Sequence, residues 1–430
     1  MADYKCLSFK GMEDEKVYYA KHKSGLEIYL RPTDKNKDYA VIATKYGSLD
    51  TCFKTDKDDD FISVPDGIAH FLEHKMFEKK EGDMLEKFSK YGGDGNAFTS
   101  FDKTAYHFTG NMNFKENLET LLYMVSHPYF TEKSVQKEMG IIEEEIKMGY
   151  DRPVNALYYG LLECLFHSEN IHKQIAGSVE SIHEITPELL YSCYNTFYNM
   201  SNMILSVFSG SSMEDILEIC DRVIPEQKQI KIERRYEEEP KTIRQKRFVK
   251  ELDIPRPKFI IGVKDNYTSV DPDTDLKRGI TTELLNDLLF SAISEFTISM
   301  YENNIIKNLS AGGSGYKDYN YFYLSGEGDD PELAYEKFVE YIREVKKNGF
   351  TEKDFNIVRR MEYTDNIIAL EHSGIADMLY DYRFENVDFT EYFDAFKKVT
   401  LDDVNELLNE LFNEDLYVMS VIKPKTGEVK

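Results

Sequence analysis

Tryptophan is absent from this 430-residue chain, and no apolar run approaches the ~18 residues that a membrane-spanning helix requires. Aromatic packing therefore falls to 30 Tyr and 27 Phe. Cysteine is scarce: Cys6, Cys52, Cys164, Cys193 and Cys220 are odd in number, scattered, and form no C-x-x-C pair. That argues against a disulfide framework and for reduced, mostly buried thiols in a cytoplasmic protein. The opening residues, MADYKCLSFKG, hold no apolar segment of the secretory kind. Positive charge is in deficit, with 53 Lys+Arg against 78 Asp+Glu and a net charge of −25. Such a chain repels phosphates, which argues against nucleic acid or anionic membranes as principal partners; were the partner a peptide, the balance leans towards a neutral or basic one. Hydrophobic residues at 41% are ample for a packed core, and at ~150 residues per domain the length suggests two or three domains.

Short apolar or alternating runs at 17–22, 26–31 and 39–46 read as strands, followed by a helix over 66–79. Asn96–Ser100 and Thr104–Gly110 read as a hairpin, and long helical patterns follow over 114–127, 131–150, 152–166 and 187–200. Met203–Ser209 returns as a strand. The stretch 226–242, polar and heavily charged, is the best candidate for a linker, with a charged surface strand or helix as the alternative. Beyond it the pattern repeats. FTEK occurs at 130–133 and 350–353, ITPELL (185–190) has a counterpart in VTLDDV (399–404), and Ser206-Val207 in Ser420-Val421. Three matches in order, at nearly one offset, indicate a duplicated half of about 215 residues. The expected domains are thus 1–225 and 243–430. Strand runs interleaved with helix runs, without strict βαβ alternation, indicate α+β halves, each a sheet with helices on one face.

Chemistry concentrates in GIAHFLEHKMF (67–77). His70, Glu73 and His74, at i, i+3 and i+4, share about a 100° arc of one helical face. Two imidazoles one turn apart can hold one metal ion, with a carboxylate beside them to take a proton from its water, the inverted zinc signature H-x-x-E-H. At this composition the pattern arises by chance in only ~0.02 chains of this length. The bland alternative is a pair of hydrogen-bonded helix histidines. A zinc site that does chemistry needs a third protein ligand and an open position. In the helix over 131–150, Val135, Met139, Ile141, Ile142 and Met148 mark an apolar face that includes Glu138 and Glu145, whereas Glu143 and Glu144 point away. Two inward carboxylates either pair with cations or serve a site. No phosphate-binding loop and no G-x-S-x-G elbow is present. His107, His127 and His372 stand alone in sequence and read as structural or surface residues.

HFLEH followed by EMGIIEEEIKM resembles the pitrilysin/insulinase family of zinc metallopeptidases, above all its small, processing-peptidase-like bacterial members. The resemblance implies one Zn2+ per chain held by His70, His74 and Glu145, with Glu73 as the catalytic base and Glu138 as an auxiliary active-site carboxylate. It also reaches GNAFT (95–99), implying that Asn96, Ala97 and Phe98 lie on an edge strand to which a peptide substrate adds as a further strand. The function implied is that of a zinc-dependent endopeptidase; the alternative is a non-catalytic structural or interaction subunit of the same fold. The complete set His70, Glu73, His74 and Glu145 discriminates between them, since inactive relatives typically lose one or more of these residues. The second half, with LLFSAISEF near 290 in place of the paired histidines, is expected to bind no metal. Its SMYENNIIKN places Tyr301 and Asn308 where related chains carry an Arg and a Tyr that grip substrate. The resemblance therefore implies a two-chain clamshell, a heterodimer with a related chain that keeps the clamp or else a homodimer; the opposing reading is that Tyr316, Tyr319 or Tyr321 takes over the grip.

Overall fold

Where the sequence runs apolar without interruption, both faces of the resulting strand are covered. Met203–Ser209 is buried at every position and Asp38–Thr44 at all but its first, the pattern of a central strand sandwiched on both sides. These two lie in a seven-stranded sheet whose spatial order is Tyr4–Phe9, Met12–Lys21, Glu27–Pro32, Met203–Ser209, Asp38–Thr44, Thr104–Gly110 and Gly93–Thr99. The computed structural model describes residues 4–316 and 318–425.

Two units make up the chain. The first comprises 1–146, 174–236 and 366–393, and the second 147–173, 237–365 and 394–430. The second has a five-stranded sheet in the order Arg247–Leu252, Tyr417–Pro424, Lys258–Asp265, Tyr319–Glu327 and Lys307–Tyr316. The two sheets share a topological oddity. Met203–Ser209 runs parallel to Glu27–Pro32 and antiparallel to Asp38–Thr44. Likewise Tyr417–Pro424 runs parallel to Arg247–Leu252 and antiparallel to Lys258–Asp265. Ser206 and Ser420, matched in sequence, are both fully buried on these strands. The helices that precede them begin alike: Thr186 caps Pro187–Phe197 by accepting from Leu189 N–H, and Thr400 caps Leu401–Leu411 by accepting from Asp403 N–H. The halves are homologous, and the fold is α+β.

This division differs from the contiguous one at 225 and 243. Residues of each half cross to the other unit, where a helix covers the sheet face opposite the main helical layer. In the first unit Ile375–Phe384 lies there, with Tyr39 donating to Asp377 at 2.9 Å and the Arg383 guanidinium gripping Glu27 through two bonds of 2.6 and 2.9 Å. In the second, Pro153–Leu165 does the same, and Ser420 donates to the Leu157 carbonyl at 2.8 Å. The charged stretch is no free tether either. Ile232–Arg234 forms a strand against Cys52–Thr55, and Arg234 and Tyr236 both reach the buried Asp50, at 3.0 and 2.7 Å.

Candidate active site

The helix Ile68–Phe77 starts without a side-chain cap; Gly67 precedes it at φ 87°. A side chain at that residue would be strained by its backbone and would also meet the Ala176 carbonyl, since a Cβ would sit 2.4 Å from that oxygen. Ile68, Ala69, Phe71, Leu72 and Met76 bury one side of the helix. Lys75 is wholly buried, and its ammonium group donates to Glu78 at 2.5 Å and to the Ser134 carbonyl at 3.3 Å. That lysine ties the motif helix to the start of the second functional helix, Glu132–Tyr150. There Thr131 and Ser134 cap each other reciprocally, each side chain accepting from the other's backbone N–H.

The inward face of Glu132–Tyr150 is narrower than the apolar pattern implied. Val135, Met139, Ile142 and Ile146 are buried, but Ile141 and Met148 are about half exposed. Glu138 and Glu145 sit beside this buried stripe rather than within it, and both are turned towards the motif helix. The Nε2 atoms of His70 and His74 lie 3.7 and 3.5 Å from the two oxygens of Glu145. These separations are too long for hydrogen bonds. They are somewhat longer than the ~3.3–3.4 Å between neighbouring ligand atoms around a tetrahedral ion with bonds of ~2.0–2.1 Å, so an ion between these groups needs only a small inward adjustment of the side chains. One donor atom from each of the three residues falls within 4.8 Å of the others, and among the described residues no other group of His, Cys, Asp and Glu converges in this way.

Of the remaining ring nitrogens, His70 Nδ1 is buried without a hydrogen-bond partner among the described residues, whereas that of His74 bears on the fit. His74 Nδ1 is 3.0 Å from Glu138 Oε1. A carboxylate only accepts, so Nδ1 carries the proton and the Nε2 lone pair is free to face Glu145 and the ion. Burial, with a smaller contribution from His74, pushes His70 down to about 3 and keeps its imidazole neutral. Burial also acts to lower His74, but the Glu138 hydrogen bond and the charges of Glu73, Glu138 and Glu145 outweigh it and raise its pKa. Two neutral-capable imidazoles and one carboxylate are a donor set that zinc accepts.

Glu73 lies on the same helical face and is buried; desolvation raises its carboxyl pKa, against opposing pulls from Thr99 and His74. Its partner is Thr99, whose hydroxyl donates to Glu73 Oε2 at 2.7 Å. Thr99 ends the strand Gly93–Thr99, at the edge of the seven-stranded sheet, whose outer side has no partner strand among the described residues. Side chains alternate along it: Asn96 and Phe98 are exposed, whereas Ala97 packs against the core. The three residues expected to meet a peptide thus lie on the open edge next to the histidines, two of them on its solvent side. Thr99 itself carries no mark of its own in the sequence, although the period of two already sets it with Ala97 on the inward face. Nothing in the pattern marks Lys75, because lysine is ordinarily a surface residue. Of the lone histidines, His107 bonds to Tyr39 at 3.0 Å and His127 stacks on Tyr123.

Two family profiles match the chain: one described as Insulinase (Peptidase family M16) over residues 64–179, and one described as Peptidase M16 inactive domain over 184–362. A Bacillus subtilis (strain 168) protein, "Uncharacterized zinc protease YmfH", is 34% identical over 96% of this chain and 97% of its own. A crystal structure of an M16-like peptidase from Alicyclobacillus acidocaldarius superimposes with a TM-score of 0.90 at 30% identity, covering 95% of this chain and 98% of that one. The crystal structure of pitrilysin gives a TM-score of 0.74 at 15% identity, over 99% of this chain but 47% of pitrilysin. No helix among the described residues is long and apolar enough to cross a membrane.

Proposed function

From the premise that this chain belongs to the insulinase (M16) family of peptidases, we propose that it is a zinc-dependent endopeptidase acting on peptides or short unfolded segments. One observation carries the reading: the donor atoms of His70, His74 and Glu145 converge, with Glu73 on the same helical face and an unpaired strand edge alongside. His70, His74 and Glu145 would hold the metal. Zinc, when bound, polarises the scissile carbonyl and makes water acidic enough to ionise near neutral pH.

The chain's own residues do the rest. Gly93–Thr99 takes the peptide as an additional strand, so that backbone hydrogen bonds fix its register with little demand on its sequence. Glu73 accepts the proton of the water whose oxygen adds to the carbonyl carbon. It then delivers that proton to the amide nitrogen as the C–N bond breaks, leaving a carboxylate and an amine. Glu138 holds the His74 ring in the tautomer that presents Nε2. A second, related chain would close over the peptide; the match of this whole chain to 47% of pitrilysin supports that arrangement.

The test uses purified chain, alone and with candidate related chains, on a peptide library. The wild type is expected to carry about one zinc per polypeptide, lost in His70→Ala and His74→Ala. Glu73→Gln should keep the zinc and lose hydrolysis, because the amide has the size of the acid without its basicity. Wild-type cleavage by Glu73→Gln would sink the mechanism. A zinc-loaded wild type that cleaves nothing with any partner would favour the non-catalytic subunit.

A further inference from the structure

The base Glu73 has a side chain with three torsions, and nothing in its own helix fixes where its carboxylate points. The contact that does so comes from the strand that is to receive the peptide. Thr99 Oγ1 lies 2.7 Å from Glu73 Oε2. A threonine hydroxyl has a single proton to give. The other oxygen near it is Thr104 Oγ1, at 3.4 Å, and the fully buried Thr104 has its own partner in the Tyr46 carbonyl at 2.9 Å. The Thr99 proton therefore goes to the carboxylate, in the short charge-assisted class of hydrogen bond. Thr99 cannot swing away to solvent as a loop residue could. Its backbone is paired in register with Thr104, and its side chain is on the inward face dictated by the strand's period of two.

We infer that Thr99 is a positioning residue for Glu73, so that one strand sets both the register of the added peptide and the direction of the carboxylate that takes the proton. Ala97 and Thr99 share the inward face, where Thr99 meets Glu73 of the motif helix, while Asn96 and Phe98 face outward. A peptide pairing with the open edge thus docks on the same rigid ladder that holds the base. Rate, not affinity, should depend on the hydroxyl, because Oγ1 is committed to Glu73 and not to the edge. This inference rests on the peptidase reading above.

Thr99→Val keeps the shape and the β-branching but removes the proton; Thr99→Ser keeps the proton. With zinc content and thermal midpoint verified for each, Thr99→Val is expected to lower kcat by about 10–100-fold, the usual penalty for losing an outer contact to an active-site group, with KM within about twofold. Thr99→Ser should stay within about threefold of wild type. In a Glu73→Gln background, the affinity for a fluorescent peptide measured by anisotropy should be the same whether or not Thr99→Val is added. Wild-type kcat in Thr99→Val, or a loss that Thr99→Ser does not recover, overturns the inference, as does an effect confined to KM and peptide affinity. Cleavage by Glu73→Gln at the wild-type rate would instead overturn the peptidase reading itself. A crystal structure of zinc-free Thr99→Val supplies a test without turnover: a Glu73 carboxylate unmoved from its wild-type place refutes the positioning role.

Discussion

Lys79 carries an amine into the interior five residues after His74. It is 4% exposed, its Nζ has no hydrogen-bond partner among the described residues, and burial, with a contribution from Lys75, brings its pKa down to about 7. Glu81 pulls the other way and does not prevail. In the unfolded chain the amine keeps its proton to about 10.5. Between those values unfolding takes up a proton, so stability rises with pH from about 7 towards 10.5, by up to ~1.4 kcal/mol per unit. Below pH 7 both states hold the proton and the penalty is present in full. Lys79→Met should therefore be more stable than wild type at pH 6.5, with an advantage that shrinks towards pH 9.5. Urea unfolding of both proteins across that range measures it; a pH-independent difference would show that Lys79 does not titrate as described. The same residue shows what the sequence could not reveal. His70, Glu73 and His74 were legible because 3.6-residue periodicity alone brings them together, and Glu138 and Glu145 because an acidic residue along an apolar stripe is anomalous. Lys75 and Lys79 owe their places to packing between segments, which leaves no periodic trace; for Thr99 the period of two gives the face but not its partner Glu73.

At the scale of single elements, most helices and strands that the sequence marked in the first half were legible nearly to their ends, because of their punctuation. By contrast, Tyr4–Phe9, Met84–Lys90 and Met213–Val223 were not read, and Met12–Lys21 begins five residues before its apolar run. Thr131 opens one helix and Thr351 its counterpart, each accepting from a backbone N–H three residues on. Thr186 and Thr400 repeat the device 214 residues apart. Such caps are local, so a four-letter match reports real geometry. Thr400 is the clearest to test, because Asp403 reaches back to its N–H at 2.8 Å and completes a capping box. Thr400→Ala should cost about 1 kcal/mol, and Thr400→Ser only a few tenths, measured by denaturant unfolding. Equal losses for the two would mean that the methyl group, not the hydroxyl, matters there. Which side of a helix is buried is harder to read. Hydrophobicity alone turns Ile141 and Met148 inward, yet single apolar side chains on a surface are common and carry little information.

For the whole molecule, the duplication was visible in the sequence and the exchange of segments was not. Repeats betray themselves by similarity, whereas the docking of Ile375–Phe384 on a sheet whose nearest strand in sequence ends at Ser209 depends on shape. The exchanged helices are structural parts of the units they join. Ile375, Ala376, Leu379 and Tyr380 are buried, and Tyr39 and Glu27 find their partners Asp377 and Arg383 on that helix. In the second unit, Gly160 and Gly262 mark the closeness of the fit, since a Cβ on either would come within 2.3–2.4 Å of Phe248 or Leu161. A fragment of 1–236 therefore lacks 366–393, and a fragment of 237–430 lacks 147–173. Each would expose an apolar sheet face that the intact chain covers, at a cost of roughly 25 cal/mol for every Å² left bare. Expressed separately, both fragments should be aggregated or melt without a cooperative transition. Coexpressed, they should copurify and recover a single cooperative transition in circular dichroism, because the missing helices are then supplied in trans. A cooperative transition in either fragment alone would show that the exchanged helix is dispensable and that the halves are independent domains after all.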